Sequence, residues 1–262
     1  MATINPSPYI GFFRTMVNVN SRFATYDFCY GYFQQNKGRL SNNMELSCYV
    51  LFSYLASWGM LRGSSPLLQY SPVALKSLVK YFDKHKDSYI WNLDVYDYTA
   101  DKHRIRMIIA SYNDIRHILM RIFKDSYSEE QGISDEDKLN KNRNGITSSH
   151  SVPTDTLVTK IMLGVFGVVP ALDRYFQQAF HTLYPKISFN KLGKESINAI
   201  LSFYRSNKPI LDSIKIPVID FTGKPTSLYY KVAKMIDMFG FMYGMAQQGK
   251  AHSQTTAKTS HP

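Results

Sequence analysis

A chain of 262 residues with 44% hydrophobic and 14% aromatic side chains, among them 19 Tyr and 16 Phe, can bury a full core without staples, which excludes disorder for most of it. Its 31 Lys and Arg against 20 Asp and Glu leave a formal charge of +11, which favours polyanionic partners without specifying which. Only two cysteines occur, Cys29 and Cys48, each in an apolar helical pattern, so no disulfide framework and no zinc site is expected and the chain reads as cytoplasmic.

The opening Met1 to Pro8 has no basic stretch leading into an apolar run, so no export signal is expected. From Ser41-Asn42-Asn43-Met44-Glu45, Leu46, Val50, Phe52, Leu55 and Leu61 recur at helical spacing, and Gly59 and then Gly63 to Pro66 end that helix. Ser71-Pro72 reads as an N-cap followed by a first-turn proline, and Leu75, Leu78, Val79 and Phe82 form one stripe. Asp101 to Lys124 sets Ile105, Ile108, Ile109, Ile115, Ile118, Leu119 and Ile122 among Lys102, Arg104, Arg106, Arg116, Arg121 and Lys124. That is a long amphipathic helix whose basic side is either a solvated face or a track for phosphates.

Between residues 125 and 151 apolar side chains nearly vanish and six acids face three bases, a composition that predicts a flexible polar linker. Helical spacing resumes over Thr154 to Gly167, Pro170 to Leu183 and Lys191 to Tyr204. Ile210 to Phe221 reads as a short strand or extended crossing, and Pro225 to Met245 as a last helix. The longest apolar run, Ile161 to Leu172, is broken by two glycines and a proline and falls short of the roughly 20 residues that span a bilayer, so no membrane partner is expected. The expected architecture is mainly α: a multi-helix, two-lobed bundle with helical lobes at 1–124 and 152–246, the linker between them, and a disordered tail at 247–262.

No Walker-type loop, no Rossmann glycine fingerprint and no His-Glu-x-x-His pair occurs, so no cofactor and no metal is expected. The seven histidines are scattered and read as surface residues. Asp94, Asp97 and Asp101 sit at loop-like spacing, the only hint of the clustered carboxylates that a phosphodiester-cutting enzyme needs.

The densest signal runs from Thr156 through Phe166-Gly167, Pro170 and Asp173 to Arg174-Tyr175-Phe176. Pro170 pre-sets a first helical turn, which puts Asp173 near a helix N-terminus where the dipole favours an ionised carboxylate. In an apolar setting such a group is either a structural cap or ion-pair partner, or one placed to stabilise a cation formed in a transition state.

An apolar helix, a Phe-Gly break, a proline and an aspartate opening the next helix resemble the second half of the helix-hairpin-helix motif of DNA glycosylases. The resemblance spans roughly residues 40–245 and implies a helix-hairpin-helix glycosylase-like architecture. It assigns Asp173 the role of stabilising the oxocarbenium-like sugar as the N-glycosidic bond breaks and of positioning the attacking water, a demand shared with sugar hydrolases. The glycine-rich hairpin expected before the apolar helix is not visible, and Ser149 to Asp155 stand in its place. The nearest counterpart of the family's lyase lysine is Lys160, a second catalytic candidate whose position favours a monofunctional hydrolase over a Schiff-base lyase. By a second similarity, the helix Val50 to Leu61 ends where the family inserts a wedge into DNA: Met60, Leu61 or Arg62 would fill the gap, and Tyr54 or Trp58 would stack on the flipped base. Tyr175 joins the substrate-binding candidates.

The expected function is a monomeric DNA glycosylase acting on a modified or damaged base flipped from double-stranded DNA, in repair or in antiviral defence against foreign modified DNA. The alternative is a non-enzymatic helical module that binds nucleic acid or protein, in which Asp173 is an ordinary helix-start carboxylate and Tyr54 and Trp58 are core. The enzyme requires Asp173 in a deep aromatic pocket; the module places it at a surface or in a salt bridge.

Overall fold

The computed structural model describes residues 4–63, 65–99, 102–129 and 152–258. The fold is mainly helical. Its α-helices are α1 (Ser7–Thr15), α2 (Thr25–Gln35), α3 (Met44–Ser57), α4 (Lys76–Lys84), α5 (Lys102–Glu129), α6 (Asp155–Phe166), α7 (Arg174–Leu183), α8 (Lys194–Ser206), α9 (Lys208–Ser213) and α10 (Val232–Lys258). Strands β1 (Pro217–Ile219) and β2 (Pro225–Tyr229) pair antiparallel, with Pro217 opposite Tyr229 and Ile219 opposite Pro225. Among the described residues no helix is long and apolar enough to cross a membrane.

The helix patterns read from the sequence hold for α3 to α6. Leu78, Val79 and Phe82 of α4 are all fully buried, and α3 ends where Gly59 takes a φ of 78°. Ser71 makes no side-chain cap; it leads a 3-10 turn, Pro72–Leu75, that feeds α4. Helix α6 is buried on every side from Leu157 to Phe166, as a helix apolar all round must be, and is the central element. Thr154 caps it by accepting a 3.2 Å hydrogen bond from Leu157 N, and Gly167, at φ 64°, closes its last turn onto the carbonyls of Met162 and Leu163.

Three boundaries differ from expectation. Helix α7 starts at Arg174 rather than Pro170, because Asp173 is its N-cap and residues 168–172 run irregularly through the interior. Pro225 opens a strand, not a helix, since the turn at Gly223 (φ 84°) folds residues 217–229 into a hairpin first. The tail is helical through Lys258, a continuation of α10, where disorder was expected from 247 onward. The polar segment expected as a linker lies outside the described residues, apart from 125–129 at the end of α5.

Residues on both sides of 130–151 share one continuous core, from Ile10 and Phe13 through Ile161 and Phe166 to Phe239 and Met242. Helix α10 lies directly on α7. A side chain at Gly244 would place its Cβ 2.0 Å from the Tyr175 carbonyl oxygen, and one at Gly240 would meet the Phe176 ring at 2.4 Å, so glycine alone permits this approach. Lys231 ties three segments together: its buried ammonium donates to the carbonyls of Trp91 (2.7 Å), Leu93 (2.9 Å) and Phe166 (2.8 Å), while burial pushes its pKa down to about 8. The two cysteines are free and buried.

Candidate functional site

The longest-range consequence of the Gly167 turn is that Asp173 returns to the flank of α6. Lys160 Nζ lies 3.3 Å from Asp173 Oδ2, with the two side chains only 5% and 16% exposed. The other oxygen, Oδ1, accepts a 3.0 Å hydrogen bond from Phe176 N and so caps α7. The segment leading to Asp173 is pinned from three helices. Ala171 N donates to Asp237 Oδ1 (3.1 Å), Leu172 N to Thr159 Oγ1 (2.9 Å), and the Leu172 carbonyl accepts from Thr156 Oγ1 and Gln177 Nε2 (both 2.8 Å).

Lys160 and Asp173 face a cleft of about 650 Å³ whose wall includes Arg22, Trp58, Met60, Arg62, Arg174, Tyr175 and Phe241. Six of the eight residues singled out from the sequence therefore meet in one place: Trp58, Met60, Arg62, Lys160, Asp173 and Tyr175. The other two, Leu61 and Tyr54, do not line this cleft, and Tyr54 belongs to the core. It is 2% exposed, its ring is packed against Gly164 of α6, and burial holds its hydroxyl well above the ordinary tyrosine range, so it supports the wall rather than forming it. Asp173 is in a salt bridge, as the binding-module reading expects, and it also lines a cleft whose wall includes aromatic side chains.

Trp58 is held from several sides. Phe13 stacks on it at 6.4 Å, and Phe23 and Phe241 meet it edge-on at 5.7 and 5.9 Å. Three cations lie by its ring: Lys160 at 5.1 Å, Arg22 at 5.4 Å and the buried Lys234 at 5.4 Å. Its indole nitrogen is buried and has no hydrogen-bond partner among the described residues. Lys234, 1% exposed, is itself boxed by Phe13 and Tyr26 and donates at 2.8 Å to Asp237 Oδ2; Asp237 is the residue whose other oxygen holds Ala171.

Arg22, Arg174 and Phe241 belong to the cleft without having been singled out, and Lys234 and Asp237 stand behind it. The last two were detectable as a lysine and an aspartate three apart inside an apolar helical stretch, where burial demands pairing. The other carboxylates considered for phosphodiester chemistry are structural. Asp94 accepts from the N–H groups of Val232 (2.7 Å) and Ala233 (3.0 Å) at the start of α10, and Asp97 pairs with Arg104 at 2.6 Å. Asp101 lies outside the described residues. Among the described residues no cluster of three or more His, Cys, Asp or Glu could hold a metal ion. On the basic helix, Arg104 is taken by Asp97 and Arg116 by Asp155 at 3.3 Å, which removes two charges from the track read along α5.

Compared with protein-family models, curated proteins and solved structures, the chain matches none of them.

Proposed function

We propose that the cleft hydrolyses the N-glycosidic bond of a modified or damaged base flipped out of double-stranded DNA, as a monofunctional, monomeric glycosylase serving repair or defence against foreign modified DNA. The single observation that carries this reading is the convergence of Lys160 and Asp173, from either side of a helix break, on a cleft walled by Trp58 and Tyr175 and rimmed by arginines. The flipped base stacks on Trp58, whose rigid mounting limits the entropy lost on binding. Asp173 Oδ2 faces the sugar and stabilises the positive charge that develops as the C1′–N bond breaks; water then adds at C1′, the base leaves with a proton, and an abasic site remains. Lys160, 3.3 Å away, orients that carboxylate. In this reading Met60, on the turn after α3, fills the gap in the duplex.

The competing reading, a non-enzymatic nucleic-acid-binding module, draws on the same geometry, because a helix cap and an ion pair are sufficient structural reasons for Asp173. The experiment that separates them compares wild type with Asp173→Asn on duplexes carrying a panel of damaged and naturally hypermodified bases, with alkali to cut abasic sites. Alkali-dependent cleavage by wild type alone, with DNA binding retained in the variant, supports the glycosylase. No cleavage by either protein, with equal binding, leaves the binding module as the better account.

A further inference from the structure

Three arginines line this cleft, and among the described residues none has an acidic partner. Arg22 follows α1, Arg62 follows α3 and Arg174 opens α7, and all three side chains are exposed. Among the described residues the one carboxylate in the cleft wall, Asp173, is already matched by Lys160 at 3.3 Å, so no described acid offsets the arginine charges. The guanidinium groups are nonetheless held in place. Arg22 lies over Phe23 and Trp58 at 5.1 and 5.4 Å, and Arg174 lies over Tyr175 at 5.3 Å and donates at 2.8 Å to Gln248 Oε1. Arg62 folds back on the turn at Gly59, its Nε only 2.8 Å from where a side-chain Cβ there would sit. Stacked guanidiniums keep their N–H edges available for bidentate contact, the geometry suited to phosphate oxygens.

The charge is also distributed in a particular way. The cleft wall combines an indole and a lysine–aspartate pair of zero net charge with three exposed cations from three separate segments. This matches a ligand with a neutral ring at its centre and anions on its flanks. We infer that Arg22, Arg62 and Arg174 form a phosphate clamp that grips the phosphodiesters on either side of one nucleotide, holding a strand across the mouth while its base enters. The inference rests on the DNA-binding part of the function proposed above, and its test does not depend on base excision.

The test is binding of a fluorescently labelled duplex oligonucleotide by the full chain across a salt series, for wild type and for Arg22→Gln, Arg62→Gln, Arg174→Gln and the triple variant. Each neutralised phosphate contributes about 0.9 to the slope of log affinity against log salt, so each substitution should reduce that slope by about one and the triple by about three. Arginine-to-lysine variants keep the charge and should restore the slope while binding more weakly. Lys84→Gln, on the exposed side of α4, serves as a control and should leave the slope closer to wild type than the arginine variants do. Slopes unchanged by the triple substitution, or reduced as much by Lys84→Gln as by any one arginine, overturn the clamp. Displacement of the oligonucleotide by a free deoxynucleoside monophosphate at equal phosphate concentration also overturns it, by making the cleft a mononucleotide pocket. Base excision with arginine variants that bind like wild type would discard the clamp and keep the glycosylase; loss of binding with no base ever excised would do the reverse.

Discussion

Lys160 Nζ and Asp173 Oδ2 lie 3.3 Å apart although thirteen residues of chain separate them, because Gly167 ends α6 in the left-handed region and the next five residues double back along it. The two oxygens of Asp173 thus have separate duties, one to the ammonium and one to Phe176 N. Asparagine is as good an N-cap as aspartate, whereas alanine cannot cap at all. Both substitutions leave Lys160 unpaired, so Asp173→Ala should be less stable than Asp173→Asn by the cap alone, about 1 kcal/mol. Urea unfolding of the two variants measures the difference, and equal stabilities would show that the Oδ1 bond contributes nothing.

Gly244→Ala should be among the most damaging small substitutions in the molecule, because the new methyl group meets a backbone carbonyl that cannot swing aside. A cost of about 1–3 kcal/mol or more is expected from overpacking, together with displacement of the α7 N-terminus and of Asp173. Gly11→Ala is the contrast: its position on α1 is exposed with nothing within 4 Å, and removing glycine from a helix interior should stabilise by about 0.5–1 kcal/mol. Thermal melts of the pair check both signs.

The buried Lys234–Asp237 pair lends itself to a double-mutant cycle. Lys234→Met strands a carboxylate and Asp237→Asn strands an ammonium, each at about 3–5 kcal/mol. The double variant removes both charges, keeps an oxygen to accept from Ala171 N, and fills the box of Phe13, Tyr26 and Trp58 with a flexible apolar chain. It should therefore be more stable than either single variant. Additive losses would mean that the two residues act independently.

Asp27 supplies a pH dependence. It is fully buried on α2, accepts a 3.0 Å hydrogen bond from Ile219 N and another from the Tyr230 hydroxyl, and so fastens the hairpin to the helix. Burial raises its pKa above the ordinary carboxylate value, and the bonds from Tyr230 and Ile219 only partly offset this. Between the unfolded and folded values the native state holds the proton and the unfolded chain does not, so this group's contribution to stability falls as pH rises through that window. Asp27→Asn cannot titrate. Its stability relative to wild type should therefore improve as pH rises above the ordinary aspartate value of about 4, and a gap that moves the other way would mean that the bonds outweigh burial.

The fold was legible where one apolar stripe decides the face of a helix, as with Leu75 just before α4 and Leu78, Val79 and Phe82 on it. It was not legible for the hairpin, because its register depends on Asp27, nearly two hundred residues away, and its outward face carries an exposed Phe221 that no alternation predicts. Helix α2 was legible only as an apolar helical pattern around Cys29, with no face assigned, since Tyr26, Tyr30 and Phe33 fall on one side and Phe28 and Tyr32 on the other. In the cleft, Asp173 and Trp58 could be read from local context, a helix start and a helix end. Arg22 and Phe241 could not, because nothing near them in the chain distinguishes them from other surface arginines and core aromatics. Tyr54 was misplaced by a helix face: four residues before Trp58, it points into α6 at Gly164, while Trp58 sits past the last turn of α3 and is free to turn toward the cleft.

Residues 168–172 are wholly buried yet belong to no helix or strand, and the Val168 and Leu172 carbonyls and the Ala171 and Leu172 amides are bonded to side chains of Tyr98, Thr156, Thr159, Gln177 and Asp237 rather than to a neighbouring backbone. A segment wired in this way has no local opening of its own: releasing Ala171 or Leu172 means loosening α6, α7 and α10 together. Their amides should therefore exchange with deuterated solvent as slowly as the most protected positions of α6. The side of the cleft that carries Asp173 is then an anvil, and any adjustment to an incoming strand must come from other parts of the wall, such as the turn at residues 59–63.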